Sequence, residues 1–247
     1  MHSIFFLASL VLSVISLTRA APASSDSREP ARTNPATLVN LRVEGANSTI
    51  FEAPIITRGH NITTASGGTH HCDGTNLDAN ASPGATCTSA LDDAAKLVKF
   101  GYDGTFDIEF DDFFITRIAS SAETNTQFWG LLLDYEFTPV GGCQQEVKTG
   151  QSILWAFDAF NKAFFLKLAA LSHTTKVGKP FTVTVTDGTS RVPIAGATVN
   201  VSGKGGESVI SDENGVASIV FEYAGVYKLK AERSDSIRSN MVDVVVI

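Results

Sequence analysis

The residues able to do chemistry gather in two short stretches. His60, His70, His71 and Cys72 share one segment, and two imidazoles with a thiolate bind zinc or copper when they converge. Adjacent histidines such as His70 and His71 seldom share an ion, and an oxidised Cys72 is no ligand, so a polar, pinned loop is the plainer reading and no metal is assigned. In the second stretch Asp107, Glu109 and Asp111 alternate along the chain with Asp112 beside them. Such carboxylates serve acid–base work on a glycosidic bond or chelate calcium. Acid and nucleophile normally come from separate elements across a cleft, which favours a solvated strand face here. Trp129 and Trp155 could form a stacking platform, but they stand at period two with Tyr135 and Phe157, as core aromatics do. His70, His71 and Trp129 are kept as ligand-binding candidates, and no catalytic residue is assigned.

Named catalytic patterns are absent. The chain has no G-x-S-x-G elbow, H-E-x-x-H pair, Walker loop or dinucleotide fingerprint, and Gly203-Lys-Gly-Gly206 lacks the strand-helix context of a phosphate loop. No cofactor is implied. A hydrophobic share of 43% with Gly 20 and Pro 8 is that of an ordinary globular chain. Nineteen basic against 26 acidic residues give −7, a balance that disfavours nucleic-acid and anionic-membrane surfaces.

The elements that hold these residues begin after a leader. Ile4 to Leu17 is almost wholly apolar, too short to span a bilayer, and ends in Thr18-Arg19-Ala20-Ala21, so residues 1–20 read as a secretory signal peptide. Residues 21–36, rich in Pro, Ser and Ala, read as a flexible lead-in. Sequons at Asn47, Asn61, Asn80 and Asn200 agree with a secreted, extracellular or cell-wall-associated glycoprotein without a membrane span. Of three cysteines, Cys72 and Cys87 are expected to pair across a short Gly/Asn/Ser-rich loop, leaving Cys143 buried or linking a disulfide dimer.

Val39, Leu41 and Val43 alternate with polar residues, a half-buried strand that turns through Gly45-Ala-Asn-Ser48 into Thr49 to Ala53. Residues 57–87 form a long polar loop, and a helix follows with Ser89 as cap, Leu91, Ala94, Ala95 and Val98 on one face, and Gly101 as stop. Phe106, Ile108 and Phe110 predict a strand, Phe128 to Phe137 another with Tyr135 and Phe137 inward, and Ile153, Trp155 and Phe157 a third. Residues 161–171 fit strand or helix. This order predicts an α+β domain over 37–171, one helix on a mixed sheet. From 175 to 247, six or seven short strands with turns such as Asp212-Glu-Asn-Gly215 predict an all-β sandwich.

Leu41-Arg-Val-Glu-Gly45, Thr49-Ile-Phe-Glu52, the single helix, Phe128-Trp129 and Gly150-Gln-Ser-Ile-Leu-Trp155, in that order, resemble the β-grasp-like C-terminal domain of transcobalamin and intrinsic factor. That domain also occurs alone in secreted microbial and fungal proteins. The family's Asn-Gly turn after its Trp strand is replaced here by Leu131-Leu-Leu-Asp134, and the helical lobe that completes a cobalamin site has no counterpart, so the resemblance implies fold more than ligand. Pro193-Ile-Ala-Gly-Ala-Thr-Val199 and Ser211-Asp-Glu-Asn-Gly-Val216, followed by Gly225-Val-Tyr227, resemble immunoglobulin-like surface repeats and carboxypeptidase regulatory-like domains. Together they imply a secreted, non-enzymatic binding or adhesion protein with an extracellular protein or cell-wall carbohydrate as partner. The alternatives are a small-molecule or metal carrier using the 57–87 loop, and a carbohydrate-active enzyme.

Overall fold

The computed structural model describes residues 34–247. The expected signal peptide 1–20 and all of the expected lead-in up to residue 33 lie outside the described residues. Asn34, at the end of that lead-in, is held: its amide donates to the Gly59 carbonyl at 2.7 Å and its oxygen accepts from the Gly59 N–H at 3.2 Å.

The first sheet takes its strands from far apart in the chain. β1 (Thr37–Glu44) pairs antiparallel with β2 (Thr49–Thr57) and hands the chain to a hairpin of β3 (His60–Thr64) and β4 (Gly68–Cys72). After the helix α1 (Cys87–Val98) come β5 (Tyr102–Asp107), β6 (Asp112–Ile118) and β7 (Ser121–Ala122), a meander of its own. β8 (Trp129–Leu133), β9 (Glu136–Phe137) and β10 (Ser152–Phe157) complete the first sheet in the order β2-β1-β10-β8-β9, with β1 and β10 parallel. Alternation along the strands sends Val39, Leu41, Val43, Trp129, Leu131, Ile153 and Trp155 to one face, into a core closed by the helix residues Ala90, Leu91 and Ala94.

Thr86, not Ser89, caps the helix. The Thr86 hydroxyl accepts from the Ser89 N–H and the Ser89 hydroxyl accepts from the Thr86 N–H, a reciprocal box with both residues fully buried. The helix stops at Lys99, which turns left-handed at φ 62.

The second half is two sheets around one core. β11 (Phe164–Ala170), β12 (Thr174–Thr175), β13 (Pro180–Asp187), β14 (Thr198–Ser202), β15 (Val209–Ile210), β16 (Val216–Val220), β17 (Gly225–Glu232), β18 (Ser236–Ile237) and β19 (Val242–Val246) form the orders β16-β13-β11-β18 and β12-β19-β17-β14-β15. Phe181, Val183, Val185, Phe221, Tyr227, Leu229 and Val244 fill the space between them. The ambiguous stretch 161–171 is thus largely strand β11. It pairs antiparallel with β13, so these residues, placed in the 37–171 unit by sequence, are built into the C-terminal sandwich.

The expected α+β, β-grasp-like class is overturned: the described chain is essentially all-β with one α-helix. The reason lies in three stretches read otherwise. Residues 57–87, expected as a loop, form the β3-β4 hairpin and a short 3₁₀ turn, because Ile62, Thr64 and Cys72 are buried while Thr63 and Thr69 face outward and His70 and His71 partly so. The expected single strand through Phe106, Ile108 and Phe110 is instead the tip of the β5-β6 hairpin, where Asp107 Oδ1 accepts from the Glu109 and Phe110 N–H groups and leaves Ile108 86% exposed. The expected strand from Phe128 to Phe137 also breaks, at a two-residue turn through Asp134 (φ 51) and Tyr135 (φ 71).

The other face of the first sheet is covered by the sandwich. Leu132, Leu154 and Ala156 meet Ala159, Phe165 and Ile237 in an apolar cluster. Beside it, Glu44, only 1% exposed, accepts from Arg238 Nε at 2.8 Å and pairs with Lys230 Nζ at 2.8 Å. Lys230 also reaches Glu52 at 2.6 Å, and Arg42 donates to the Arg238 carbonyl at 2.7 Å. Low dielectric strengthens each of these pairs and makes each of them costly to break.

Candidate functional site

The cysteine pairing differs from expectation. Cys72, at the end of β4, is bonded to Cys143 with Cα atoms 4.5 Å apart, and Cys87 is the free, fully buried thiol. Cys87 opens the helix with its backbone N–H on the Gln145 carbonyl, while Gly74 N–H bonds the Cys143 carbonyl at 2.9 Å and brings residues 72 and 143 side by side. Burial, with the charges of Asp112 and Asp134, pushes the Cys87 thiol well above its ordinary range and leaves it inert. Since Cys143 is spent inside the chain, a disulfide dimer through it is also corrected.

The histidines do not converge on one point. His70 and His71 are strand neighbours and turn to opposite faces. His70 stacks on Phe106 with ring centroids 3.5 Å apart and donates from Nε2 to the Gly67 carbonyl at 3.0 Å, whereas His71 lies between Asp73 at 3.4 Å and Asp111 at 3.2 Å. His60 is on the helix side, with Nε2 2.6 Å from Asp92 Oδ2 and Nδ1 2.8 Å from the Arg58 carbonyl.

Asp92 is a hub. It takes His60, the Lys96 ammonium at 2.5 Å and the Tyr102 hydroxyl at 2.7 Å. Burial alone would raise its pKa, but these three donors outweigh it and hold the carboxyl below its ordinary range. The same bond to Asp92 raises His60 against the opposing effect of its burial, and burial with that carboxylate pushes Tyr102 far up. His60, Asp92 and Asp93 lie within 4.8 Å of one another as ligand types. Lys96 already supplies the balancing charge, so the arrangement is an ion-paired brace between β3, α1 and β5.

The carboxylates of Asp107, Asp111 and Asp112 take separate structural roles. Asp107 closes the hairpin tip, Asp111 (φ 49) accepts from the Leu77 N–H at 2.7 Å, and Asp112 is buried under the N–H groups of Phe113, Cys143 and Gln144. Burial outweighs those three donors and pushes Asp112 up to about 6.

Trp129 is 5% exposed, donates to the Ser121 carbonyl at 3.2 Å and meets Phe157 edge-on at 5.4 Å, so it packs as core. Its edge, with Trp155 and Leu131, floors an open groove of about 260 Å³. The rim is phenylalanine: Phe114, Phe137 and Phe160 are 50%, 44% and 63% exposed, and Phe137 stacks on Phe160 at 5.1 Å. Phe137, expected inward, lies outside because the turn at Asp134–Tyr135 reverses the chain before it. Sequence reasoning misses this rim, since its three rings come from β6, β9 and a 3₁₀ turn and share no period.

No family model and no curated protein matches this chain. The geometry therefore stands by itself. Among the sequons, Asn47 and Asn61 are exposed, while the Asn80 amide donates to the Gly74 and Gln144 carbonyls at 2.7 and 3.0 Å and is occupied, and Asn200 is half-buried with Ser208 on its oxygen. Among the described residues, no helix is long and apolar enough to cross a membrane.

Proposed function

We propose that this chain is a secreted, non-enzymatic binding protein that engages an extracellular or cell-wall partner through the phenylalanine-rimmed groove. The observation that carries the reading is the joint exposure of Phe114, Phe137 and Phe160 at the mouth of one groove, because contiguous exposed aromatic surface marks interaction sites more often than it marks bare surface. The leader and the outward sequons Asn47 and Asn61 support the compartment. The dispersal of Asp107, Asp111 and Asp112 supports binding over acid–base chemistry, since Asp112 is sealed by backbone donors and the others serve turns.

The test is depletion of the purified chain by washed chitin, β-glucan, mannan and whole cell walls, comparing wild type with Phe114→Ser/Phe160→Ser. Depletion by at least one material, weakened about tenfold in the variant while its melting midpoint holds, is the expected result. Depletion indifferent to the variant, or turnover of a glycan that is lost in Glu109→Gln, overturns the reading.

A further inference from the structure

A second cleft lies on the far side of the molecule from the helix, where the outer face of β1, β2 and β10 meets the sandwich. It has a volume of about 400 Å³ and is lined by Arg42, Glu52, Ala53, Pro54, Tyr135 and Lys167 among others. That volume is within the range of small-molecule sites.

The charges around it do not cancel locally. Glu52 is consumed by Lys230 at 2.6 Å and by the Met241 N–H at 2.6 Å, and Asp243 by Lys228 at 2.9 Å. Arg42 and Lys167, which line the same cleft, have no carboxylate partner among the described residues. Arg42 is 6% exposed, and among the described residues its guanidinium donates to the Arg238 carbonyl at 2.7 Å. A guanidinium carries five donors, so those of Arg42 not spent on that carbonyl are available to a group entering the cleft.

Tyr135 supplies the second observation. Its ring has the Arg42 guanidinium carbon 5.6 Å from its centroid and the Lys167 ammonium 5.8 Å from it, so both cations are grouped about one aromatic ring. The residue holds φ 71 at the second position of a two-residue turn, where glycine is the unstrained choice. Bulky residues hold that conformation only under strain, and such strain collects at binding sites.

We propose that this cleft binds a small organic monocarboxylate, the acid group taken by Arg42 and Lys167 and the apolar body laid against Tyr135, Ala53 and Pro54. The planar guanidinium matches a carboxylate with two parallel hydrogen bonds. Glu52 on the same wall disfavours a dianion, which separates a carboxylate from a phosphate. This site is independent of the phenylalanine-rimmed groove.

The experiment is calorimetric titration of the purified chain with benzoate, hexanoate, benzamide and inorganic phosphate. Lys167→Glu changes an exposed side chain and leaves the fold intact, and Arg42→Gln removes the buried donor. Benzoate or hexanoate is expected to bind with a dissociation constant below about 1 mM, with benzamide and phosphate weaker by about tenfold or more. Lys167→Glu is expected to weaken the carboxylate about tenfold at an unchanged melting midpoint, and Phe160→Ser to leave it untouched. Benzamide or phosphate binding as tightly as benzoate, carboxylate affinity indifferent to Lys167→Glu, or no heat from either carboxylate at about 10 mM each overturns the proposal. If Arg42→Gln unfolds, Lys167→Glu alone decides.

Discussion

Glu44 in the first strand accepts a 2.8 Å hydrogen bond from Arg238, 194 residues further along the chain. The carboxylate is 1% exposed, and Lys230 and the Thr49 hydroxyl occupy its remaining lone pairs. The pair ties the first sheet to the sandwich. Glu44→Ala leaves the Arg238 guanidinium without its anion at a buried junction and is expected to cost about 3 kcal/mol in urea denaturation. A loss below about 1 kcal/mol would show that water replaces the carboxylate freely.

Gly188 and Tyr135 form a second contact across the junction. A Cβ at Gly188 would sit 2.0 Å from Tyr135 Cδ1, and the ring has little room to retreat, since its hydroxyl reaches Asn240 and its carbonyl accepts from Thr189 at 2.7 Å. Gly188→Ala is therefore expected to destabilise by about 2 kcal/mol. Tyr135→Gly removes the obstacle and relaxes the turn at φ 71, so most of that loss is expected to vanish when Gly188→Ala is made in the Tyr135→Gly background. Additive losses in a thermal-melt double-mutant cycle would rule the steric account out.

The His60–Asp92 brace gives stability a bounded pH window. His60 is raised in the folded chain, so its contribution is complete below its ordinary 6.5 and fades as pH rises through the higher folded value. Asp92 is lowered, so its contribution is complete above its ordinary 3.8 and fades as pH falls through the lower folded value. The denaturation midpoints of wild type and His60→Gln are expected to differ most near pH 5 and to approach one another by pH 8. A gap that stays constant from pH 5 to pH 8 would show that His60 is not held by its charge.

Asp112 acts in the opposite sense from Asp92. Its folded value of about 6 lies above the ordinary 3.8, so its contribution is complete below pH 3.8 and is lost as pH rises through about 6. Asp112→Asn is accordingly expected to compare better with wild type at pH 8 than at pH 4, measured by chemical denaturation at both. The reverse ranking would mean that the three backbone N–H groups, not burial, set the acidity of this carboxyl.

The disulfide assignment yields a direct chemical check. Non-reducing peptide mapping is expected to recover residues 72 and 143 linked, with Cys87 alkylated by iodoacetamide only after denaturation. Closing a loop with a sequence separation of 71 removes about 4 kcal/mol of unfolded-state entropy in the chain-entropy treatment, so Cys72→Ser is expected to lower the melting midpoint far more than Cys87→Ala. Recovery of a 72–87 link would overturn the assignment.

Strand positions and the helix were legible where one periodicity ran unbroken. Val39, Leu41 and Val43, then Ile153, Trp155 and Phe157, then Phe181, Val183 and Val185 read as strands and are strands, because alternation is imposed by the pleat and needs no partner to be seen. Turns were harder. Asp107 and Asp134 end strands whose apolar alternation runs on past them, and only the cross-strand pairing reveals the reversal. The 57–87 segment was obscure for a related cause: its polar hairpin buries only Ile62, Thr64 and Cys72 along its strands, so its pairing is set by what it packs on.

What the sequence alone determined is the local conformation: period-two strands, the amphipathic helix near residues 87–98, and a strand-rich C-terminal half, all encoded by neighbours a few residues apart. What only the tertiary structure decided is which surfaces meet. Asn40, Arg42 and Glu44 carry the polar half of an alternating strand and read as solvent-facing, yet Arg42 and Glu44 are buried because the sandwich lies across them and supplies Lys230, Arg238 and a backbone carbonyl. The choice of Cys143 over Cys87, the grouping of three phenylalanines on one rim, and the two cations about Tyr135 have the same origin. Each joins side chains from separate elements, and covalent spacing carries no information about partners that distant until the chain has closed on itself.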